Sequence, residues 1–153
     1  MPRIGVISDT HGLLRPQAMD ALQGCDAILH AGDIGSADIL ARLSSISPTT
    51  AVRGNNDKDA WAAMLPDSEW IDIDDVLIHL LHDLADLDVD PQAASLKVVV
   101  SGHSHHPGIE ERHGVLYLNP GSAGPRRFKL PISLAILDIA NGHASARIVE
   151  LEA

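Results

Sequence analysis

The sequence predicts an α/β protein built as a four-layer αββα sandwich, in which two mixed β-sheets pack face to face with helices outside. Strands and helices alternate in the first third of the chain, and strands dominate the second half. The first three strands are continuous apolar runs, which are typical of strands covered on both faces. The first sheet therefore needs helices on one side and the second sheet on the other. At 153 residues, we expect one domain over 1–153.

The first third of the chain alternates between strands and helices. Short β-branched, apolar runs at 3–8, 26–30 and 50–53 are typical of buried strands. Helices are predicted between them, at about 16–22 and 37–43. This alternation indicates a parallel sheet with right-handed crossovers.

The second half of the chain is rich in strand patterns. The predicted strands lie at 69–73, 76–81, 97–101, 108–112, 115–118, 132–139 and 143–151. Three dipeptides are typical of the hairpin turns between them: Asp74-Asp75, His113-Gly114 and Asn141-Gly142. A brief helical segment is expected at about 91–96.

The composition excludes several kinds of partner. Eleven Lys and Arg against 21 Asp and Glu give a formal net charge of −10, which repels polyanions. Two Trp, one Tyr and one Phe leave little for base stacking, so we expect no stable nucleic-acid binding. The single Cys25 excludes an internal disulfide framework, and we expect no signal peptide, no membrane span and a cytoplasmic location. A phosphate ligand would need a local positive centre.

Metal-binding side chains follow the apolar runs at five places. They are Asp9 with His11, Asp33, Asn55, His82, and His103 with His105. Because ligands collect outside the carboxyl ends of strands in α/β sheets, we expect these residues to converge. Two pairs are spaced i, i+2, which puts both side chains on one side of an extended backbone. By the same parity, His79 lies on the face opposite His82 and is left out of the set.

The same residues form an ordered motif set. It reads D-x-H at 9–11, G-D at 32–33, G-N-x-D at 54–57, then His82, and G-H-x-H at 102–105. This set resembles that of the calcineurin-like metallophosphoesterases, and the resemblance covers almost the whole chain. The later NPGS at 119–122 and the PR at 125–126 resemble the small prokaryotic YfcE-type phosphodiesterases of that superfamily.

The resemblance implies a two-metal hydrolase of a small phosphoester, with a phosphodiester as the expected substrate. Asp33 would bridge two divalent cations, with Asp9, His11 and His105 completing one site and Asn55, His82 and His103 the other. A hydroxide that bridges the cations would attack the phosphorus, so Asp33, Asn55 and His82 are the candidate catalytic residues. The mixed ligands suit manganese first, with zinc, iron or nickel as alternatives. The sequence carries no signal of oligomeric state.

Two positions depart from the resembled pattern. Asn56 stands where relatives often carry a histidine that protonates the leaving group, so help for the leaving group must come from elsewhere. After His82 the chain continues with Asp83 where the family commonly has Gly-His, and an acidic segment runs from there to Asp90. A solvated loop with capping aspartates is favoured for that segment over an extra cation site.

The remaining polar residues near these motifs carry less specific signals. Asn56, Arg126 and Arg127 are the candidate substrate-binding residues. Asp57 is expected to orient a neighbouring histidine or to form an ordinary Asx turn. His30 is either a support for a metal ligand or a satisfied histidine at a strand end.

Two alternative functions stay open. The same site could act as a phosphomonoesterase or a pyrophosphate-bond hydrolase. The alternative of another class is a protein-binding scaffold, because the retromer subunit of similar fold holds partners on its surface with a degraded metal site. The intact ligand set of this chain favours an enzyme.

Overall fold

The computed structural model describes residues 2–151 and arranges them around two five-stranded sheets. The strands are β1 (Arg3–Ile7), β2 (Ala27–His30), β3 (Thr49–Ala51), β4 (Ser68–Ile73), β5 (Val76–Leu81), β6 (Val98–Val100), β7 (Gly108–Arg112), β8 (Val115–Asn119), β9 (Ser133–Ala140) and β10 (His143–Glu150). The α-helices of this part of the chain are α1 (Pro16–Leu22) and α2 (Ala37–Ser44), with short 3₁₀ helices at Ala60–Met64 and Leu84–Asp86. Within these residues no helix is long and apolar enough to cross a membrane.

The first sheet has the strand order β10-β9-β1-β2-β3. Strands β1, β2 and β3 run parallel, while β9 is antiparallel to β1 and forms a hairpin with β10. The last residue of β1, Ile7, lies opposite His30, and His30 lies opposite Ala51. The three loops that follow these strands therefore begin at the same edge.

The second sheet has the strand order β4-β5-β6-β8-β7. Its central strands β5, β6 and β8 run parallel, with antiparallel strands at both edges. Leu80 lies opposite Val100, and Val100 lies opposite Leu118. The carboxyl ends of β5 and β6 therefore deliver His82 and the segment 102–105 together.

The core between the two sheets is built from alternate residues of the central strands. The first sheet contributes Ile4, Val6, Leu29 and Val52, and the second contributes Ile78, Leu80, Val98 and Val100. Side chains of the other parity, including Ile7 and Ile28, pack outward against α1 and α2. Each fully buried Leu or Ile contributes roughly 1.5–3 kcal/mol to stability. The predicted coverage of the first sheet on both faces is confirmed.

The αββα sandwich is confirmed, and its fourth layer is formed by a loop segment with one short 3₁₀ helix. Leu84, Leu87 and Val89 pack there against Leu81 and Val99 on the outer face of the second sheet. The hydrophobic face is thus covered without a regular α-helix.

The helix predicted at about 91–96 is wrong, since these residues form turns. The Asp90 carboxylate accepts hydrogen bonds from the backbone amides of Gln92 and Ala93, which starts a single turn. Ser95 then adopts φ 59°, a left-handed conformation that cannot continue an α-helix. The third strand also ends earlier than expected, because Arg53 N donates to Pro66 O outside the sheet.

Candidate metal centre

The loops after five parallel strands bring the seven predicted ligands to one edge of the sandwich. Asp9 and His11 follow β1, Asp33 follows β2, Asn55 follows β3, His82 follows β5, and His103 and His105 follow β6. Backbone hydrogen bonds join these loops, with Asp9 N donating to Gly32 O at 3.0 Å and Gly102 N donating to His82 O at 2.9 Å. The convergence expected from the sequence is present.

Most of these residues adopt left-handed backbone conformations. The φ angles are 55° at Asp9, 45° at His11, 54° at Asp33, 70° at His103 and 63° at His105. The extended backbone assumed for the i, i+2 pairs is therefore wrong, and tight turns aim these side chains instead. Such conformations cost roughly 1–3 kcal/mol each and persist where surrounding contacts hold them, as at functional sites.

Asp9 is the centre of a first cluster with His11 and His105. Its Oδ1 atom lies 3.8 Å from His11 Nε2 and 3.5 Å from His105 Nε2. Asp9 is fully buried, and neither Asp9 Oδ1 nor His11 Nε2 has a hydrogen-bond partner among residues 2–151. Burial raises the pKa of Asp9. A buried polar atom without a partner costs about 1–3 kcal/mol, so this cluster calls for a ligand.

Asp33 joins a second cluster with His82, His103 and Asn55. Asp33 Oδ2 lies 3.3 Å from His82 Nε2, and His103 Nδ1 lies 3.2 Å from both His82 Nε2 and Asn55 Oδ1. Asp33 Oδ2 is also 3.7 Å from His11 Nε2 of the first cluster. Asp33 therefore lies between the two clusters.

The spacing of these donor atoms fits two divalent cations. Ligands that share one cation at bond lengths near 2.1 Å stand about 3–3.5 Å from one another. Each cluster offers three histidine or carboxylate ligand atoms that all lie within 4.8 Å of one another. Asp9 Oδ1 and His11 Nε2, which have no hydrogen-bond partner among residues 2–151, would each gain one from a cation.

Asp9 is held so that only one of its oxygens faces the cluster. Ser8 Oγ donates to Asp9 Oδ2 at 2.8 Å, and His103 N donates to the same oxygen at 3.1 Å. Gly102 permits this contact, because a Cβ there would overlap Ser8 Oγ. Oδ1 is therefore the free coordinating atom.

Asp57 locks the loop after β3 to the loop after β2. Its buried carboxylate accepts hydrogen bonds from the amides of Ile34, Gly35 and Gly54 at 3.0–3.1 Å. Three charge-assisted bonds to backbone amides fix both loops, each worth more than a neutral bond. These contacts are to backbone amides, so the expectation that Asp57 orients a histidine is replaced by a loop-locking role.

His82 presents a defined ring nitrogen to the second cluster. Its Nδ1 lies 2.7 Å from Ala31 O, and because a carbonyl only accepts, Nδ1 carries the proton. Nε2 is then left to face Asp33. Burial works to lower the pKa of His82, but the hydrogen bond and charge of Asp33 raise it above its ordinary value. Burial likewise works to raise the pKa of Asp33, yet hydrogen bonds from His82 and from the Asn56 amide lower it to about 2.

His30 is a fully buried, satisfied residue behind the ligand loops. Gly32 N donates to its Nδ1 at 3.1 Å, and its Nε2 lies 3.0 Å from Thr10 Oγ1. Thr10 Oγ1 donates in turn to Ile34 O at 2.8 Å. The two interpretations of His30 are thus both partly correct, because the ring is satisfied and also connects the loops that carry Asp9 and Asp33.

The predicted substrate-binding residues lie at different places. Asn56 donates from its backbone N to Asp33 Oδ1 at 2.8 Å and from Nδ2 to Asp33 Oδ2 at 3.2 Å, so it positions that carboxylate. Arg126 and Arg127 lie in an exposed loop. Burial lowers the pKa of His105, while the charge of Asp9 works in the opposite direction.

Three features of the site could not be predicted from the sequence. The hydroxyl of Ser8, the three amide bonds of Asp57 and a cavity of about 790 Å³ beside the second cluster all depend on contacts between distant segments. Asn55, His82 and His103 line this cavity. Only the Asp57 position carried any signal, as the last residue of the G-N-x-D motif.

The family of the chain follows from comparison with known proteins. The calcineurin-like phosphoesterase superfamily domain matches residues 2–142. A probable metallophosphoesterase of Methanothermobacter thermautotrophicus is 35% identical, over 95% of this chain and 91% of that protein. A phosphodiesterase of Methanocaldococcus jannaschii is 27% identical, over 89% of this chain and 92% of that protein. The chain belongs to the calcineurin-like phosphoesterase superfamily and is a metallophosphoesterase, a hydrolase of phosphoester bonds.

Solved structures share its fold. The phosphoesterase YfcE of E. coli superposes with a TM-score of 0.72 at 23% identity, covering 98% of this chain and all of that one. Vps29 of Chaetomium thermophilum superposes with a TM-score of 0.78 at 20% identity, covering 98% of this chain and 95% of that one. At these identities the likeness shows the fold alone.

Proposed function

We propose that this metallophosphoesterase is a phosphodiesterase with a two-metal site. The observation that carries the proposal is the fully buried Asp9 Oδ1, which has no hydrogen-bond partner among residues 2–151 and faces three imidazole nitrogens at 3.5–4.0 Å. That arrangement is unfavourable for a bare carboxylate and favourable for a cation ligand.

The two clusters would each hold one cation, and Asp33 would be shared between them. Asp9, His11 and His105 complete one set, and Asn55, His82 and His103 complete the other. When bound, two divalent ions lower the pKa of a water molecule to produce the nucleophile and neutralise charge on the phosphoryl oxygens. Imidazole, carboxylate and amide donors favour manganese, with zinc, iron or nickel as alternatives.

The residues of the chain prepare this site before any substrate arrives. Asp33 is ionised at neutral pH and is held in place by both donors of Asn56. His82 presents Nε2, because its Nδ1 proton is engaged by Ala31 O. Asp33, Asn55 and His82 therefore act at the position where the nucleophile would form.

The absence of an acid at position 56 shapes the substrate preference. Asn56 carries no ionisable proton and already donates to Asp33, so it does not protonate a leaving group. Esters with good leaving groups should therefore react best. The exposed arginines Arg126 and Arg127 would bind a free phosphoryl oxygen. The named phosphodiesterase among the relatives supports a diester substrate.

Turnover of bis(p-nitrophenyl) phosphate tests the proposal. In the metal-loaded protein, Asp33→Ala is expected to lower kcat/KM by at least about a hundredfold, as loss of a shared metal ligand should. The matched control is Asp38→Ala, since Asp38 is an exposed carboxylate on α2. Elemental analysis should find about two ions per chain in the wild type. Unchanged turnover in Asp33→Ala, or a wild type that holds no metal, would reject the proposal.

The metal-loaded wild-type protein also tests the alternative functions. Turnover of a monoester, a diester and a pyrophosphate is compared at equal metal loading. This comparison distinguishes a phosphodiesterase from a phosphomonoesterase or a pyrophosphate-bond hydrolase. A protein-binding scaffold is the alternative of another class, and Vps29 of Chaetomium thermophilum shares the fold of this chain. A metal-replete chain that hydrolyses no phosphoester but forms one stable complex would support the scaffold.

A further inference from the structure

We propose that the cavity beside the second cluster binds a positively charged amino group on the alcohol part of the substrate, which makes aminoalkyl phosphoesters the preferred substrate class. This inference rests on the proposed function, because that function places the phosphate at the candidate metal centre. It extends the function by naming what the rest of the substrate carries.

The cavity is continuous with the candidate metal centre. Asn55, His82 and His103 form part of its wall, so a substituent on a phosphate held by these residues would extend directly into it. Its volume of about 790 Å³ lies within the range of about 300–1,000 Å³ that small-molecule sites occupy. The space is far larger than a phosphate group needs.

The walls of the cavity carry an excess of negative charge. Six carboxylates and two basic side chains line it. Arg53 is engaged by Asp67 at 2.7 Å, and Asp57 is engaged by backbone amides. Asp83 likewise accepts a hydrogen bond from the Ala85 amide. Three carboxylates, Asp59, Asp86 and Asp88, and one ammonium group, Lys58, then remain in the lining. A second phosphate would be repelled here, and a cation would be attracted.

His79 provides an independent sign of a missing ligand in the same wall. It lines the cavity, is only 3% exposed, and its Nδ1 has no hydrogen-bond partner among residues 2–151. The Trp70 ring packs against the His79 ring, with ring centroids 4.3 Å apart. Burial lowers the pKa of His79 against the opposing charge of Asp88, which favours the neutral form of the ring.

The site as a whole then has two ends of opposite sign. Bound cations at the candidate metal centre would attract the phosphate, while the carboxylates of the cavity would attract an amino group at the other end of the substrate. A zwitterionic phosphoester matches both ends at once. The segment that supplies Asp83, Asp86 and Asp88 is the one in which the chain departs from the resembled family pattern.

Binding of unreactive substrate analogues tests the inference without relying on turnover. The probes are methylphosphonate esters in two matched pairs, 2-aminoethyl against propyl and 4-aminobutyl against pentyl, in which an ammonium group replaces a methyl group. Calorimetry on the metal-loaded protein should show the amine bound about three- to tenfold more tightly in at least one pair, as two or more partly exposed ion pairs provide. Equal binding of amine and alkane in both pairs would overturn the proposal.

Variants then locate the preference. Asp86→Asn with Asp88→Asn should reduce it to less than about twofold and leave the affinity of the alkyl esters unchanged. Asp83 stays intact in these variants, because its Oδ2 lies 3.7 Å from His103 Nε2. Asp20→Asn with Asp72→Asn is the control, since both are exposed carboxylates outside the cavity and the net charge changes equally. Preserved preference in the cavity variant, or equal loss in the control, would overturn the proposal.

Two further measurements separate the remaining explanations. Elemental analysis should give the same metal content for wild type and for the Asp86→Asn, Asp88→Asn variant, whereas loss of one ion per chain would mean that the cavity holds a metal and would overturn the proposal. The matched p-nitrophenyl aminoalkyl and alkyl phosphodiesters report turnover. If neither is hydrolysed, the proposed function fails, while the calorimetric preference still decides the cavity on its own.

Discussion

Replacement of His30 by glutamine should remove part of the acid sensitivity of the fold. Gly32 N donates to His30 Nδ1, and the Thr10 hydroxyl uses its proton on Ile34 O, so His30 Nε2 must carry the proton and donate to Thr10. A second proton would have to enter at Nδ1, directly against the Gly32 amide. Complete burial and the nearby charge of His82 lower the pKa of His30 to about 3.

The sign of the pH effect follows from linkage. The unfolded chain protonates His30 near its ordinary pKa of about 6.5, while the folded protein does not until about 3. Between these values the unfolded state binds more protons, so the stabilisation is complete above about pH 6.5 and declines as pH falls toward 3. The slope approaches about 1.4 kcal/mol per pH unit, which gives a loss of about 2 kcal/mol between about pH 7 and pH 5.

Urea unfolding of the chelator-treated protein measures this change. In His30→Gln the free energy of unfolding should be lower at neutral pH, and its further fall between about pH 7 and pH 5 should be about 2 kcal/mol smaller than in the wild type. His143→Gln, an exposed histidine on β10, should behave like the wild type. If His30→Gln and the wild type lose equal stability over this pH range, the assignment of His30 as a neutral buried residue is refuted.

Four further predictions concern the loops and ions of the site. Asp57→Asn turns an amide NH₂ toward backbone donors and should cost about 2–4 kcal/mol of stability by urea unfolding, so a cost below about 1 kcal/mol would contradict the loop lock. Gly54→Ala places a Cβ on Asp33 N and Oδ1 and should reduce the metal content measured by elemental analysis, whereas normal content would show that the loops can separate. Arg127→Ala should raise KM for bis(p-nitrophenyl) phosphate about three- to tenfold and more than Arg126→Ala does, and equal effects would exclude a specific contact. Manganese at about a hundred times its Kd should add about 2.7 kcal/mol per bound ion to the stability of the metal-free protein in thermal unfolding, and no increase would contradict binding to the folded state.

Much of the fold and most of the ligands could be predicted, because they depend on local patterns. Each ligand comes directly after an apolar run, and parallel strands bring their carboxyl ends to one edge of a sheet. Strand parity in the sequence distinguishes His82 from His79, and in the structure His82 contacts Asp33 while His79 packs against Trp70. The hairpin turns at Asp74-Asp75 and Asn141-Gly142 could also be predicted, and they connect the antiparallel pairs β4–β5 and β9–β10.

The errors have a common physical cause, which is competition from contacts outside the local window. The segment 91–96 has a helical pattern, yet Asp90 starts a single turn and a left-handed Ser95 ends it. The extended conformation assumed at the ligand pairs fails, because the hydrogen bond from His103 N to Asp9 and similar contacts hold those loops in tight turns.

The sequence by itself determined the order of the strands along the chain, the identity of the candidate metal ligands and their position at strand ends. These properties follow from hydrophobic periodicity and residue chemistry, which act over a few residues. Only the tertiary structure decided that Asp57 locks two loops, that Asp9 turns one bare oxygen to the cluster, and that Asp86, Asp88 and His79 line one cavity. Each of these depends on segments that are far apart in the chain and meet only when the two sheets pack together.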